Sequence, residues 1–202
     1  QRYVRGFEAC GGCPIPGVRL TATATRSGVG PEFEAVAAFG ALCGVNDLEA
    51  VIHATYTCLE LGLDAGAVGN VIACAMELSE RGWLRASTAQ AFSAALEGRD
   101  LRFGDGAAVV RLAELMGRNE GVGQLLAAGS AQFAREEGHP GLAMHVKGLE
   151  LPALDPRAFH GQALALATNN RGGCHRGALL VGPEALGTPF RIDRFAAAGK
   201  AG

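Results

Sequence analysis

A polar segment from Thr168 to His175 gathers several side chains that could do chemistry. Its adjacent glycines, Gly172 and Gly173, could let backbone N–H groups approach an anionic ligand. Arg171 lies in the same segment, and a histidine can donate a proton or bind a metal. For any one of these residues alone, a solvated side chain on a surface loop is the simpler interpretation. Together they indicate a functional site, because function concentrates in irregular, glycine-rich segments between packed helices.

A pair of cysteines near the beginning of the sequence has the spacing of a metal chelate. Cys10 and Cys13 enclose two glycines, and Pro14 follows directly. Two thiolates at this spacing can hold one metal centre, and glycine N–H groups can bond to the sulfides of an iron–sulfur cluster. A redox dithiol or half of a zinc site would have the same spacing. The spacing alone leaves these alternatives open.

Two carboxylates, Glu32 and Glu34, stand at the start of a predicted helix. Acidic side chains at a helix amino terminus complement the helix dipole and need no special environment. The functional alternative is that one of them points into a cavity and carries a proton. From the spacing alone, the structural interpretation is favoured. His53 and His139 are likewise expected to be structural, because His53 lies within a helical pattern and His139 at the end of one.

The composition predicts a sizeable core, since 49% of the 202 residues are hydrophobic. The net charge of −2 is dispersed, which argues against a nucleic-acid or membrane-surface partner. No apolar run reaches the ~20 residues of a membrane span. The six cysteines do not form a disulfide framework, which favours a reducing, cytoplasmic location. The sequence does not start with Met, and its Ala/Gly end (Ala196 to Gly202) completes no helix or strand pattern. We therefore expect a fragment of a longer protein.

Apolar residues recur at helical spacing over most of the sequence. Capping residues, glycines and prolines then predict helices from Pro31 to Gly44, from Asn46 to Gly62, from Gly66 to Arg81, from a Ser87/Gln90 capping box, from Asp105, and from Gly121 to Glu136. Strand candidates are few, Leu20 to Thr25 and Met144 to Leu151, and Thr21 to Gly30 looks like a linker. The predicted fold class is therefore mainly α, a multi-helix array in which small residues let helices pack closely.

Longer motifs occur along the sequence in a fixed order: CGGCPIPG, GPEFEAVAAFGALCGVNDLEAV, LGLD, AMELSERG, HVKGLELPALDPR, ATNNRGGCHRG and GPEALGTPFRID. Their order and content resemble the tungsten-dependent aldehyde ferredoxin oxidoreductase family over nearly the whole chain. The resemblance implies the helical domains of such an enzyme, a domain-2-like part at 1–64 and an incomplete domain-3-like part at 65–202. It also implies that the N-terminal β domain, which holds much of the cofactor, is absent.

The resemblance implies a metal cofactor and an electron acceptor. The family holds tungsten, or sometimes molybdenum, through the dithiolene sulfurs of two pterins, beside a [4Fe–4S] cluster. It oxidises aldehydes to carboxylic acids and passes electrons to ferredoxin, and a homodimer is a further expectation. Cys10 and Cys13 match the first two cluster ligands, and four positions match cofactor-binding ones: Arg171, Gly172, Gly62 and Leu63.

Two acid–base positions of the family are also matched. Glu34 corresponds to the second Glu of the family's E-[YF]-E motif, a carboxylate near the metal that is implicated in proton handling. His175 corresponds to the His of N-R-G-x-C-H, proposed to bond the substrate oxygen or a metal oxo group. We therefore expect Glu34 and His175 to face one cavity, with their side chains within ~10 Å of each other.

Two positions depart from the family's pattern. Gly17 replaces the third cysteine of C-x-x-C-x-x-x-C, and Leu59 replaces the Asp of a pterin-contacting D-x-x-G-L motif. These departures favour a rival hypothesis, in which a diverged paralogue keeps the helical fold and has lost the chemistry. Retention of Glu34 and His175 favours the enzyme.

Overall fold

Most of the chain is helical in the computed structural model, which describes residues 2–186. The helices are α1 (Phe33–Ala35), continued by a π-helical segment (Val36–Leu42), α2 (Leu48–Leu61), α3 (Ala65–Glu80), α4 (Ala86–Ala95), α5 (Gly106–Arg118), α6 (Val122–Ala127), α7 (Ser130–Glu136), α8 (His160–Thr168) and α9 (Val181–Leu186). Short 3₁₀ turns occur at Pro140–Leu142 and His175–Gly177. The predicted mainly α class is confirmed. Residues 187–202, which include the end of the GPEALGTPFRID motif and the Ala/Gly end, lie outside the described residues.

Two small antiparallel sheets accompany the helices. The first has the order β1 (Val4–Glu8), β2 (Val18–Ala22) and β3 (Ser27–Val29), and the second pairs β4 (His145–Val146) with β5 (Leu149–Glu150). The expectation of a linker over Thr21 to Gly30 is wrong, because β2 and β3 form an antiparallel hairpin over most of it. The strand candidate from Leu20 to Thr25 is confirmed over its first part, which belongs to β2. The strand expected from Met144 to Leu151 is likewise a hairpin. Its two-residue turn, Lys147-Gly148, has positive φ at both positions, as tight hairpin turns require.

A single hydrophobic core joins the longer helices. It contains fully buried side chains from the π-helical segment, α3, α4, α5 and α7, among them Phe39, Ile72, Phe92, Leu112 and Phe133. Helices from both sides of residue 64 contribute to it. The division of the chain into domains at 64 and 65 stays a prediction.

Small residues do allow close helix packing, as the composition predicts. A Cβ atom added at Gly69 of α3 would lie 2.9 Å from the backbone carbonyl carbon of Ala38 in the π-helical segment. Likewise, a Cβ at Gly106 of α5 would lie 2.6 Å from the Cβ of Ala50 in α2. No side chain fits at either position without a shift of the neighbouring helix. The packing of α3 on the π-helical segment also positions Glu34, because that segment continues the helix that carries it.

Three predicted helix boundaries are wrong. The amino-terminal cap of α2 is Asp47 instead of Asn46, and its carboxylate accepts from the N–H of Glu49 at 2.9 Å. The Ser87/Gln90 capping box does not form, because α4 already begins at Ala86 and has no side-chain cap. The helix expected from Gly121 to Glu136 is divided in two at Gly129, which adopts a φ of 87°.

The described residues contain no single helix that is long and apolar enough to span a membrane. The α2–α3 pair passes the same test of length and composition only when the two helices are taken together, across a bend of 120°.

Candidate functional site

A cavity of about 570 Å³ lies where the beginning of α1, the junction of α2 and α3, β5 and the polar loop after α8 meet. Seven residues singled out from the sequence line it: Glu32, Glu34, Leu59, Leu63, Arg171, Gly173 and His175. Gly62 and Gly172 do not line it, and neither do Cys10 and Cys13. The cavity has the size of an ordinary small-molecule site. The expectation that Glu34 and His175 share a cavity is therefore confirmed, although they are far apart in the sequence.

Glu34 and His175 face each other across this cavity. One carboxylate oxygen of Glu34, Oε1, lies 3.9 Å from Nδ1 of His175. The other oxygen, Oε2, accepts a hydrogen bond of 2.8 Å from the backbone N–H of Ala153. Both side chains are about one-third exposed, so water or a small substrate can reach them. Glu34 is thus fixed by one oxygen and leaves the other free to interact with His175 or a ligand.

The segment between β5 and α8 fixes Glu34, and the helix α3 fixes that segment. Pro152 blocks regular structure just before Ala153, which leaves the N–H of Ala153 free to donate to Glu34. The side-chain amide of Asn70 in α3 donates to the carbonyl of Leu151 at 3.2 Å. The sequence gives no signal for Asn70 or Ala153, because their partners are more than 80 residues away.

The polar loop does not present its backbone N–H groups to a ligand, contrary to the prediction. The N–H of Arg171 donates to the Asn169 side chain, that of Gly172 to the Asn169 carbonyl, that of Gly173 to the Val146 carbonyl and that of Cys174 to the Gly172 carbonyl. Four consecutive donors are satisfied within the protein. Any affinity for an anion must therefore come from side chains such as Arg171.

The adjacent glycines serve a different purpose, close packing on the β4–β5 hairpin. A Cβ atom at Gly172 would overlap the carbonyl oxygen of Val146, and one at Gly173 would overlap that of Leu149. Gly172 also adopts a φ of 100°, which other residues rarely do. The backbone of the loop can lie on the hairpin only because neither residue has a side chain. This contact places the His175 turn at the rim of the cavity.

Two other carboxylates that line the cavity, those of Asp64 and Glu150, already have structural partners. The carboxylate of Asp64 caps α3 by accepting from the N–H of Ala67 at 2.8 Å. Glu150 accepts from the N–H and the hydroxyl of Ser130, at 2.8 and 2.9 Å, and so caps α7. Glu34 differs from both, because its free oxygen faces an imidazole instead of a helix terminus.

Comparison with known proteins identifies the family. The model of aldehyde ferredoxin oxidoreductase domains 2 and 3 matches residues 1–202. The chain belongs to the aldehyde ferredoxin oxidoreductase family. It is 40% identical over 193 residues to the tungsten-containing aldehyde ferredoxin oxidoreductase of Pyrococcus furiosus, and 39% identical over 193 residues to that of Thermococcus kodakarensis. Each match covers 95% of this chain and 31% of the relative, so the chain spans about a third of the length of these curated relatives.

A solved structure supports the fold. The active-site complex of benzoyl coenzyme A reductase, in complex with 1,5 dienoyl-CoA, superimposes with a TM-score of 0.64 at 21% identity. The match covers 84% of this chain and 25% of the other. At this identity the likeness concerns the fold alone.

The cysteine pair does not fit the family's cluster by itself. Cys10 and Cys13 lie on the loop between β1 and β2, where the N–H of Cys13 donates to the carbonyl of Cys10 at 2.9 Å, and both are exposed. Gly17 brings no third thiol, although a Cβ there would meet nothing within 4 Å. Within residues 2–186, no group of three His, Cys, Asp or Glu side chains could hold a metal ion. Two thiolates leave half of a four-thiolate site unfilled.

The pterin positions fit a cofactor only in part. Arg171 and Leu63 line the cavity, so a guanidinium and an apolar side chain are available to a ligand there. Gly62 instead ends α2 in the left-handed conformation, with a φ of 71°. Leu59 is 56% exposed and lines the cavity with an apolar surface where the family's motif has a carboxylate. The assignment of Arg171, Gly172, Gly62 and Leu63 to cofactor binding stays a prediction.

Three of the four remaining cysteines behave as hydrophobic core residues, as expected. Cys43, Cys58 and Cys74 are buried and carry free thiols. Burial raises the pKa of Cys43 and of Cys58 to about 12, and that of Cys74 to about 11. At neutral pH these thiols are protonated and neither bind metals nor react readily.

The contacts of His53 and His139 agree with their structural interpretation. Nε2 of His53 lies 3.0 Å from the hydroxyl of Thr23 and so ties α2 to the first sheet. The ring of His139 stacks on Trp83, with ring centroids 4.4 Å apart.

Proposed function

We propose that this chain forms the acid–base side of an active site that oxidises an aldehyde to a carboxylic acid. The observation that carries the proposal is the approach of Glu34 and His175 across one open cavity, at 3.9 Å. Membership of a family whose curated relatives are named tungsten-containing aldehyde ferredoxin oxidoreductases supports it. The tungsten pterin, when bound, would supply the two-electron redox chemistry, with Arg171 and Leu63 bordering it.

The overall reaction fixes what the protein side chains must do. An aldehyde and one water give a carboxylic acid, two protons and two electrons, so the site has to remove two protons. Glu34 is suited to accept a proton, because its Oε1 is free and its Oε2 is held by the N–H of Ala153. General base catalysis by a positioned carboxylate contributes typically ~10²–10⁴-fold. The site thereby needs no mobile base from solvent.

His175 is suited to hold the substrate oxygen. Its Nδ1 faces Glu34, which leaves Nε2 as the ring nitrogen that can approach a ligand. A hydrogen bond from Nε2 to the carbonyl oxygen would make the carbonyl carbon more electrophilic and would orient it toward water. Glu34 and His175 then act as one unit, in which the carboxylate sets the orientation of the imidazole.

Electron transfer is proposed to end on ferredoxin, as the names of the relatives suggest. For an iron–sulfur cluster the described residues provide only the Cys10–Cys13 pair. A cytoplasmic location and a homodimer stay predictions. The free, buried thiols of the core are consistent with a reducing compartment.

A diverged, non-catalytic paralogue is the second candidate, and Gly17 and Leu59 favour it. In that case the helical fold would serve packing or assembly, and Glu34 and His175 would remain as a solvated pair. The two candidates differ in a measurable property, because only the enzyme retains tungsten and turns over aldehydes.

The test is anaerobic aldehyde oxidation by the tungstate-loaded, full-length protein that contains this chain and by its Glu34→Gln variant. We expect kcat to fall at least ~10²-fold in the variant, because the amide cannot accept the proton. Tungsten content should not change. Glu32→Gln, two residues away and lining the same cavity, should cost less than ~5-fold, since of the two carboxylates only that of Glu34 forms a close pair with His175.

Two results would refute the proposal. A metal-loaded Glu34→Gln protein with wild-type kcat would remove Glu34 from the chemistry. A wild-type protein that binds no tungsten and oxidises no aldehyde would instead establish the paralogue.

A further inference from the structure

Asn169 occupies the point where the polar loop leaves α8, and it contacts the loop in more than one place. Its Oδ1 accepts from the N–H of Arg171 at 3.0 Å, and its Nδ2 donates to the carbonyl of Cys174 at 2.8 Å. Its own carbonyl accepts from Nζ of Lys147 at 2.9 Å and from the N–H of Gly172 at 3.2 Å. One residue thus connects the end of α8, the β4–β5 hairpin and the far end of the loop.

The bond to Cys174 bears directly on His175. The carbonyl of Cys174 belongs to the peptide group that joins Cys174 to His175, and a peptide group is planar. A hydrogen bond that fixes this carbonyl also fixes the direction in which the backbone enters His175. The orientation of the imidazole toward Glu34 therefore depends on Nδ2 of Asn169.

The packing around Asn169 leaves its amide little freedom. A Cβ atom at Gly177, two residues beyond His175, would lie 2.8 Å from Nδ2 of Asn169. The loop therefore closes on this amide from both sides of His175. The neighbouring Asn170 is exposed, and the structure records no hydrogen bond from its side chain within residues 2–186.

We propose that Asn169 is the positioning residue that holds His175 toward Glu34 in the active site. The inference rests on the proposed function, because it assigns a role within the same acid–base pair. Asn169 does not line the cavity and touches no reacting group. It acts through the Cys174–His175 peptide.

The test uses Asn169→Asp and the matched control Asn170→Asp in the tungstate-loaded holoprotein. Aspartate keeps the acceptor for the N–H of Arg171 and replaces the donor to Cys174 with an oxygen. We expect kcat for aldehyde oxidation to fall at least ~10-fold in Asn169→Asp, because misplacement of an acid–base group is costly, with KM changed less than ~3-fold. The control should retain the wild-type kcat.

A readout independent of turnover accompanies the kinetics. Amide hydrogen exchange on the protein without substrate should show faster exchange in the peptide from Arg171 to His175 for Asn169→Asp, and no change for Asn170→Asp. A Tm lowered by more than a few degrees together with lost tungsten would mean general destabilisation, and it would overturn the positioning role.

The His175→Asn background separates a role through His175 from a general one. If Asn169 acts only through His175, then Asn169→Asp should lower kcat less than ~2-fold further in that background. An equal loss in both backgrounds would overturn the inference. If His175→Asn alone keeps the wild-type kcat, the proposed function fails; if it is impaired and Asn169→Asp is not, only the positioning role fails.

Discussion

Replacement of Glu137 by Gln should destabilise the protein more than any neighbouring surface change. The side chain of Glu137 has no exposed surface, and it accepts four hydrogen bonds. They come from the backbone N–H of Arg85 at 2.6 Å, from Nε and Nη2 of Arg85 at 3.1 and 3.0 Å, and from the hydroxyl of Thr88 at 2.8 Å. Glu137 thereby anchors the start of α4 to the end of α7.

The size of the loss in the free energy of unfolding depends on which hydrogen-bond donors lose their acceptor in Glu137→Gln. Arg85 is 53% exposed, so its guanidinium can turn to water and its two bonds are discounted for solvent screening. The N–H of Arg85 and the hydroxyl of Thr88 cannot turn to water in the same way. A buried donor left without an acceptor costs ~1–3 kcal/mol. Gln keeps one acceptor oxygen, so we expect the free energy of unfolding to fall by about 2–3 kcal/mol.

The stability difference between wild type and Glu137→Gln should also depend on pH. Burial alone would raise the pKa of Glu137, but the hydrogen bonds from the Arg85 N–H, Thr88 and the Arg85 guanidinium together with the charge of Arg85 lower it overall. A lowered folded-state pKa means that the stabilisation is present above the unfolded value of ~4.3 and is lost as the pH falls below it. The difference between wild type and Glu137→Gln should therefore be constant from pH 7 to 5 and shrink in more acidic solution.

Urea unfolding followed by circular dichroism measures both effects. Glu136→Gln is the matched control, because Glu136 is adjacent and exposed and should change stability by less than ~0.5 kcal/mol. A Glu137→Gln variant as stable as this control, or a difference that does not depend on pH below 4, would refute the reasoning.

Three further predictions concern packing and thiols. Gly69→Ala should cost ~1–3 kcal/mol, because the new methyl group would overlap Ala38, whereas Gly141→Ala, which meets nothing within 4 Å, should be near neutral in urea unfolding. Iodoacetamide at pH 8 should label the thiols of the β1–β2 loop within minutes and spare the buried ones until urea is added, as peptide mass spectrometry would show. Labelling of a buried thiol in the native protein would contradict its raised pKa. Gly17→Cys should raise the iron and acid-labile sulfide bound after anaerobic reconstitution, since a third thiolate has space there; equal, near-zero iron in both proteins would show that cluster binding is lost for other reasons.

The helical body was predictable because its signals are local. Apolar spacing located α2, α3 and α5, and Asp105 was recognised as the cap of α5 from the sequence. The errors arose where one local signal competes with another. Asp47, and not the neighbouring Asn46, is the amino-terminal cap of α2. Gly129 adopts a positive φ and divides a helix that the apolar pattern predicted as continuous.

The site was predictable only where long motifs identified it. Glu34 and His175 were found through the family's motifs, and the structure then placed them 3.9 Å apart. The residues that hold them, Ala153 and Asn169, carry no recognisable signal, because a backbone N–H and a loop amide acquire their role only through folded contacts. The glycines of the polar loop were misread for the same reason, since the sequence does not show the hairpin on which they pack.

A double-mutant cycle on kcat tests directly whether Glu34 and His175 work as one unit. Aldehyde oxidation would be measured for wild type, Glu34→Gln, His175→Asn and the double variant, all loaded to equal tungsten content. Residues that act as a unit lose activity non-additively. We expect the double variant to have a kcat within ~3-fold of the slower single variant. A double variant whose loss equals the product of the two single losses would show that the residues act independently, and it would contradict the account.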